Sequence, residues 1–189
     1  MHFALPVYHL CYVKGRQMQP WLASDLARWE GLVRIEYVDW LDPRAVALRA
    51  AMDAETSAMY AEFSRSQPPE VQAAIDDALT VDPAAIVTTM IALHGDEPVG
   101  HSALRPYGTS LEVKKVFVAE SVRGRGVARL LMGELETIAR GRGAASLVLQ
   151  TGPLQVPAIR LYEDLGYVAI PPYGKYGAIP GALCYVKVL

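Results

Sequence analysis

The sequence predicts a mixed αβ domain, a central sheet with helices packed on it, in the α+β or α/β class. Three observations predict it. Strand-like runs alternate with helical periodicities along most of the chain. A turn, Gly95-Asp96-Glu97-Pro98, stands between two apolar runs and signals a hairpin, so part of the sheet is antiparallel. Further on, an apolar strand over residues 111–118 runs through a glycine-rich turn into an amphipathic helix.

A chain of 189 residues fits one core, with some excess for an arm. At this length a chain buries roughly 70% of its unfolded surface, so the core needs no disulfide or metal. Hydrophobic residues make up 52%, charged residues 20%, and the formal net charge is −2. That balance excludes disordered, collagen-like and fibrous chains. It also points away from a general nucleic-acid or membrane-surface binder. Cys11 and Cys184 form no framework, which suits reduced thiols in a cytoplasmic protein. The apolar run at residues 3–13 has no basic residue before it and contains Pro6 and His9, so it reads as a strand rather than a secretion signal. No run approaches the roughly 18 apolar residues of a membrane span.

The elements follow in order. Residues 1–31 form an arm, with the strand just named and a short helix opening at Pro20. Residues 32–39 alternate as a strand. Asp42 and Pro43 start a helix, because Asp caps free amides and Pro suits the first turn. Val46, Leu48, Ala51, Met52 and Met59 continue it. Pro68 and Pro69 start another, with Val71, Ile75 and Leu79 on one face, and Asp82-Pro83 closes that region. Strands are expected at residues 86–93, 99–104 and 111–118. A helix follows over residues 123–140, with Val127, Leu130, Leu131, Leu135 and Ile138 at helical spacing. Then come a short buried strand at 146–150, a helix at 157–165 ended by Gly166, and last strands at 167–170 and 183–188.

The chemistry concentrates where the strand enters the helix. Arg123-Gly124-Arg125-Gly126 stands at the helix start. Free backbone amides and the positive end of the helix dipole converge there, which suits a pyrophosphate. Gly124 and Gly126 allow close approach of backbone to ligand, Ala128 keeps the first turn uncrowded, and Arg123, Arg125 and Arg129 add positive charge. The turn lacks the GxxxxGK[ST] of a nucleotide-hydrolysing loop and does not follow the first strand of a doubly wound unit.

Arg123, Gly126 and Ala128, spaced Arg-x-x-Gly-x-Ala after an apolar strand, resemble the acetyl-CoA signature of the GNAT superfamily of N-acetyltransferases. A second block resembles the family's later motif, with Gln155, Ala158, Leu161, Tyr162, Gly166 and Tyr167 in order. Gln155 stands where the family more often has Asn. The ending of the chain is similar to a bacterial branch of the family. The resemblance covers residues 32–189. It implies a mostly antiparallel central sheet flanked by helices, with splayed middle strands forming the acetyl-CoA cleft.

The resemblance also implies site residues. The backbone of Val116, Phe117 and Val118 would pair with the pantetheine arm, and the Val118 amide would polarise the thioester carbonyl. Arg123, Gly124, Arg125, Gly126, Val127, Ala128 and Arg129 would cradle the pyrophosphate, with Gln155 and Tyr162 completing the cofactor contacts. Transfer in this family is direct, with an amine attacking the acetyl thioester. Tyr162 matches the family's tyrosine near the sulfur and is the candidate general acid. Glu112 stands at the spacing of the catalytic glutamate of histone-modifying members and is the candidate base. The alternative for Glu112 is a carboxylate in water or paired with Lys114.

The expected activity is acetyl transfer from acetyl-CoA to a primary amine of a small molecule or peptide, with no metal, nucleic acid or membrane involved. Transfer of another acyl group, or a non-catalytic CoA-binding regulatory domain, are the rival readings. A homodimer could form through the arm. His2, His9, His94 and His101 have no zinc-ligand spacing, although His94 and His101 could face each other across the hairpin and His101 could border the acceptor pocket. Tyr173 and Tyr176 could touch the acceptor or merely cover the sheet. Asp53, Glu55 and Glu62 read as solvated helix faces.

Overall fold

The computed structural model describes residues 33–189. The strand and short helix expected in the arm, and Cys11, lie outside them. Strand β1 (Val33–Val38) leads to α1 (Pro43–Met59), α2 (Ala61–Ser66) and α3 (Pro69–Leu79). A hairpin of β2 (Thr88–His94) and β3 (Glu97–Tyr107) continues into β4 (Ser110–Val118). Then come α4 (Val127–Gly141), β5 (Ser146–Thr151), α5 (Val156–Asp164), β6 (Val168–Ile170) and β7 (Leu183–Val188). The sheet order is β1-β2-β3-β4-β5-β7-β6, and every pairing is antiparallel except β4 with β5.

Local chemistry sets most boundaries. The Asp42 carboxylate accepts from the Arg44 amide at 2.8 Å, with Pro43 in the first turn, so α1 starts where expected. Pro69 stands in the first turn of α3, which has no side-chain cap. The short α2 between them is not separable by periodicity alone. The largest shift is at α4, which begins at Val127, four residues after the expected Arg123. Gly126 caps it in a left-handed conformation, φ 83°, and a short 3-10 turn precedes it at Glu120–Val122. Leu130 is exposed, and Met132 joins Val127, Leu131 and Leu135 in the core instead.

Alternation in β2 divides the interior. Met90 and Ala92 join the cluster under α4, which includes Leu104, Val113, Leu131, Leu135, Leu147 and Leu149. Ile91 and Leu93 point the other way, to Ala45 and Leu48 of α1 and to Phe117. A third cluster sets Tyr176 and Cys184 against Ala78 of α3. Helices thus cover both faces of the sheet.

Two irregularities shape the middle of the sheet. The parallel pairing of β4 with β5 holds only at Leu111 with Leu147 and Glu112 with Val148. Beyond Glu112 the two strands part, which is the expected splay. The second irregularity is a bulge in β4. His101 pairs with Phe117, but Ala103 pairs with Lys114, so Lys115 and Val116 together oppose Ser102. Lys115 has φ 52° and is the one non-glycine residue with positive φ among those described.

Candidate functional site

A cleft of about 480 Å³ opens where β4 and β5 part. Val116, Phe117 and Val118 line it from β4, and Arg123, Gly124, Gly126, Val127, Ala128 and Arg129 from the turn and first helical residues. Gln155, Ala158 and Tyr162 line it from α5. The structure therefore brings together, around one cavity, all but one of the residues expected to hold the cofactor. Arg125 is the exception and does not line the cleft.

The turn leaves its backbone open to close approach. Gly124 and Gly126 have φ of 77° and 83°, a region that side chains resist. No side chain caps α4, so its first amides keep their donors for a ligand. Two of the arginines also carry ion pairs. Arg123 donates to a Glu55 carboxylate oxygen at 2.5 Å and Arg129 to Asp164 at 2.7 Å. Both pairs are about half exposed, so each acidic partner offsets part of the arginine charge beside the backbone amides of the turn.

Tyr162 is buried, and its ring lies 5.9 Å from that of Tyr167 and 6.3 Å from that of Tyr185. Burial pushes its phenol well above the ordinary tyrosine range, so it keeps its proton at neutral pH. Gln155 stands at the N-cap of α5 and accepts from the Thr151 hydroxyl at 2.8 Å, which fixes its amide at the cleft wall.

Glu112 lies elsewhere. It is fully buried and does not line the cleft. Arg105 donates to it at 2.5 Å, Lys114 at 3.4 Å, and the Tyr176 hydroxyl also donates to it. Lys114 also donates to Tyr176 at 2.6 Å. Burial pulls the Lys114 ammonium below its ordinary range, while Glu112 opposes that. The carboxylate thus sits in the pairing with Lys114 that the sequence offers as its alternative role. Tyr176 is buried in this network, and Tyr173 stacks on it edge to face with centroids 5.1 Å apart.

Other expectations are resolved by register. His94 pairs with Glu97 and His101 with Ile91, so the two histidines do not face each other. His101 is fully buried, with both ring nitrogens in contact. Asp53 is exposed, as expected of a solvated helix face, and also pairs with Lys115 at 2.7 Å. Among the described residues no group of three or more His, Cys, Asp or Glu side chains gathers in metal-binding range. No helix among them is long and apolar enough to cross a membrane. On α1 the sequence reading missed Met52, Thr56 and Met59, which join Glu55 in the cleft wall. Their spacing of i, i+3, i+4 and i+7 is a helical stripe, and that signal was available.

With this geometry in place, the comparisons with known proteins are informative. The acetyltransferase (GNAT) family model matches residues 48–167. The chain belongs to the GNAT family. It is similar to the IAA acetyltransferase of Azospirillum brasilense, 37% identical over 90 residues, which are 48% of this chain and 59% of that protein. The match therefore spans little more than half of that relative's length. In three dimensions it resembles a Klebsiella pneumoniae protein with a TM-score of 0.67 and 24% identity, covering 84% of this chain and 98% of the other. A GNAT family acetyltransferase from Elizabethkingia anophelis, solved with acetyl-CoA bound, superposes with a TM-score of 0.58 and 18% identity over 84% of this chain and 99% of its own. At these identities the structural likeness speaks for the fold.

Proposed function

We propose that this protein is an acetyl-CoA-dependent N-acetyltransferase, acting in the cytoplasm on a primary amine of a small molecule or peptide. The observation that supports this most is one cavity bounded by three things: a β4 edge freed by the splay, an uncapped helix start with two left-handed glycines, and a buried neutral tyrosine. Acetyl-CoA fits that set, because its pyrophosphate needs converging amide donors and its extended arm needs a free strand edge. It supplies an acyl thioester, which an amine converts to an amide with release of the CoA thiol.

The chain's own residues divide the remaining work. The amides at Gly124, Gly126 and the first turn of α4 bind the phosphates. The backbone of residues 116–118 orients the acyl arm, and its donors stand ready for charge developing on the carbonyl oxygen. Tyr162 holds a proton beside the leaving sulfur. The attacking ammonium must lose a proton, and Glu112 can take it only through Tyr176 or Lys114, since its own oxygens do not reach the cleft. Glu55 does line the cleft, where its carboxylate is already held by Arg123.

The test is thiol release from acetyl-CoA against a panel of amines, with Tyr162→Phe beside the natural chain. Loss of a general acid lowers kcat by about 10²-fold or more, with acetyl-CoA affinity little changed. Binding of CoA with no turnover on any amine or with any acyl-CoA would favour a regulatory CoA-binding domain. Unchanged kcat in Tyr162→Phe would remove the acid role.

A further inference from the structure

The layer between α1 and the sheet is apolar, formed by Ala45, Leu48, Ile91, Leu93 and Phe117. Two polar side chains are sunk into it. His101 on β3 is fully buried and Arg49 on α1 is 8% exposed. Burying an arginine that donates to a neutral ring is costly, so the pair calls for an explanation.

Their hydrogen bonds are determinate. Arg49 Nη1 lies 3.0 Å from His101 Nε2, and an arginine can only donate, so Nε2 accepts. His101 Nδ1 lies 2.7 Å from the carbonyl oxygen of Lys115, which can only accept, so Nδ1 carries the proton. The ring is thus a neutral imidazole of one tautomer. Arg49 is itself anchored: its second nitrogen donates to the Trp40 carbonyl at 2.6 Å, and its guanidinium lies 3.7 Å from the centroid of the Trp40 ring.

The carbonyl that His101 holds belongs to the bulge residue, the one with φ 52°. One turn along α1 from Arg49, Asp53 takes the ammonium of the same Lys115 at 2.7 Å. Helix α1 therefore reaches the bulge in two ways: Arg49 braces the ring that holds the backbone carbonyl, and Asp53 pairs with the side chain. The three residues that follow Lys115 are those that line the cleft from β4. A left-handed lysine in a strand persists only where its surroundings hold it.

We propose that His101 is a positioning residue: braced by Arg49, its ring fixes the Lys115 carbonyl and so sets the direction in which the bulge presents the backbone of Val116, Phe117 and Val118 to the cleft. The proposal rests on the acyl-CoA reading of that cleft for its effect on rate, but not for its effect on structure.

The test uses the whole chain with His101→Phe, His101→Asn and Arg49→Met. Asparagine places an amide N–H near the position of Nδ1 and can still donate to Lys115, whereas phenylalanine cannot. Amide hydrogen exchange is read at residues 116–118 and, as a control, at Leu131 and Leu135 in α4. His101→Phe is expected to speed exchange at 116–118 by about tenfold or more with the α4 amides unchanged, and His101→Asn to restore most of the protection. In turnover, kcat falls by between about 10- and 100-fold in His101→Phe, because a small misplacement of an orienting group is costly. Its KM for acetyl-CoA stays within about threefold, since the glycine turn is untouched. Protection at 116–118 equal to the natural chain's would overturn the proposal. So would a uniform loss at all amides that asparagine relieves no better than phenylalanine. If His101→Phe does not fold, Arg49→Met decides: faster exchange confined to 116–118 supports the clamp, and none refutes it. A natural chain that turns over no amine counts against the proposed function alone, and the exchange comparison still judges the clamp.

Discussion

Arg123 reaches back five residues and donates from Nε to the carbonyl of Val118, 2.9 Å away, closing the glycine turn onto the end of β4. The same guanidinium holds Glu55 of α1. One side chain thus ties together the strand edge, the anion turn and the helix that walls the cleft. Arg123→Ala is expected to weaken acetyl-CoA binding by about five- to tenfold, through a looser turn and an unpaired Glu55 beside the phosphates. Removing Glu55 as well should recover part of that loss. Titration calorimetry of the natural, single and double variants checks this, and a double variant no better than Arg123→Ala would dismiss the repulsion.

Gly126 offers a cleaner test of the turn. A Cβ built there meets nothing within 4 Å, so the cost of Gly126→Ala is the left-handed backbone alone. That is about 1–2 kcal/mol, or a few degrees in Tm for a chain of this size. Gly126→Glu adds a negative charge at the helix start and should lower acetyl-CoA affinity by at least about tenfold. Intact affinity in Gly126→Glu would show that the phosphates bind elsewhere.

Glu112 separates a structural carboxylate from a catalytic one. Glu112→Gln leaves Arg105 and Lys114 without their buried counter-charge, and breaking such a pair typically costs about 3–5 kcal/mol. Urea denaturation measures that loss. The pH profile of kcat/KM for the remaining folded enzyme should match that of the natural chain. Loss of the profile's acidic limb would instead make Glu112 the base, working through Tyr176 or Lys114.

His101 makes stability depend on pH. Burial, with help from Arg49 and Lys115, lowers its pKa from 6.5 to about 4, although its bond to the Lys115 carbonyl opposes this. The unfolded chain therefore binds the extra proton between those values. This stabilisation is complete at neutral pH and falls as pH drops through 6.5 toward about 4, by about 3 kcal/mol at most. Denaturation at a series of pH values should show that slope, and His101→Asn should lack it. An equal slope in both proteins would place the titration on another group.

How much was legible in the sequence follows from the range over which each feature is decided. The Asp42 cap, the proline starts, the β2–β3 hairpin, and Gly124 with Gly126 before α4 depend on neighbours within a few residues. Their chemistry acts on the local backbone, so composition and spacing revealed them, along with the two motif blocks that signal the family. The start of α4 was misplaced because two left-handed glycines postpone the helix, and periodicity is blind to φ.

The tertiary structure decided the rest. Arg123 meets Glu55 across 68 residues, Tyr176 meets Glu112 across 64, and Arg49 meets His101 across 52. Such contacts depend on sheet register, where a slip of one residue sends a side chain to the opposite face. The bulge at Lys115 is one such shift. It turns Phe117 toward α1 and, together with the parting of β4 from β5, leaves a strand edge open to a ligand. Sequence alone determined that a glycine-rich turn at a helix start and a GNAT-like fold are encoded here. Only the packed sheet determined that Glu112 is locked away, that Arg123 and Arg129 are already paired, and that a buried histidine holds the bulge.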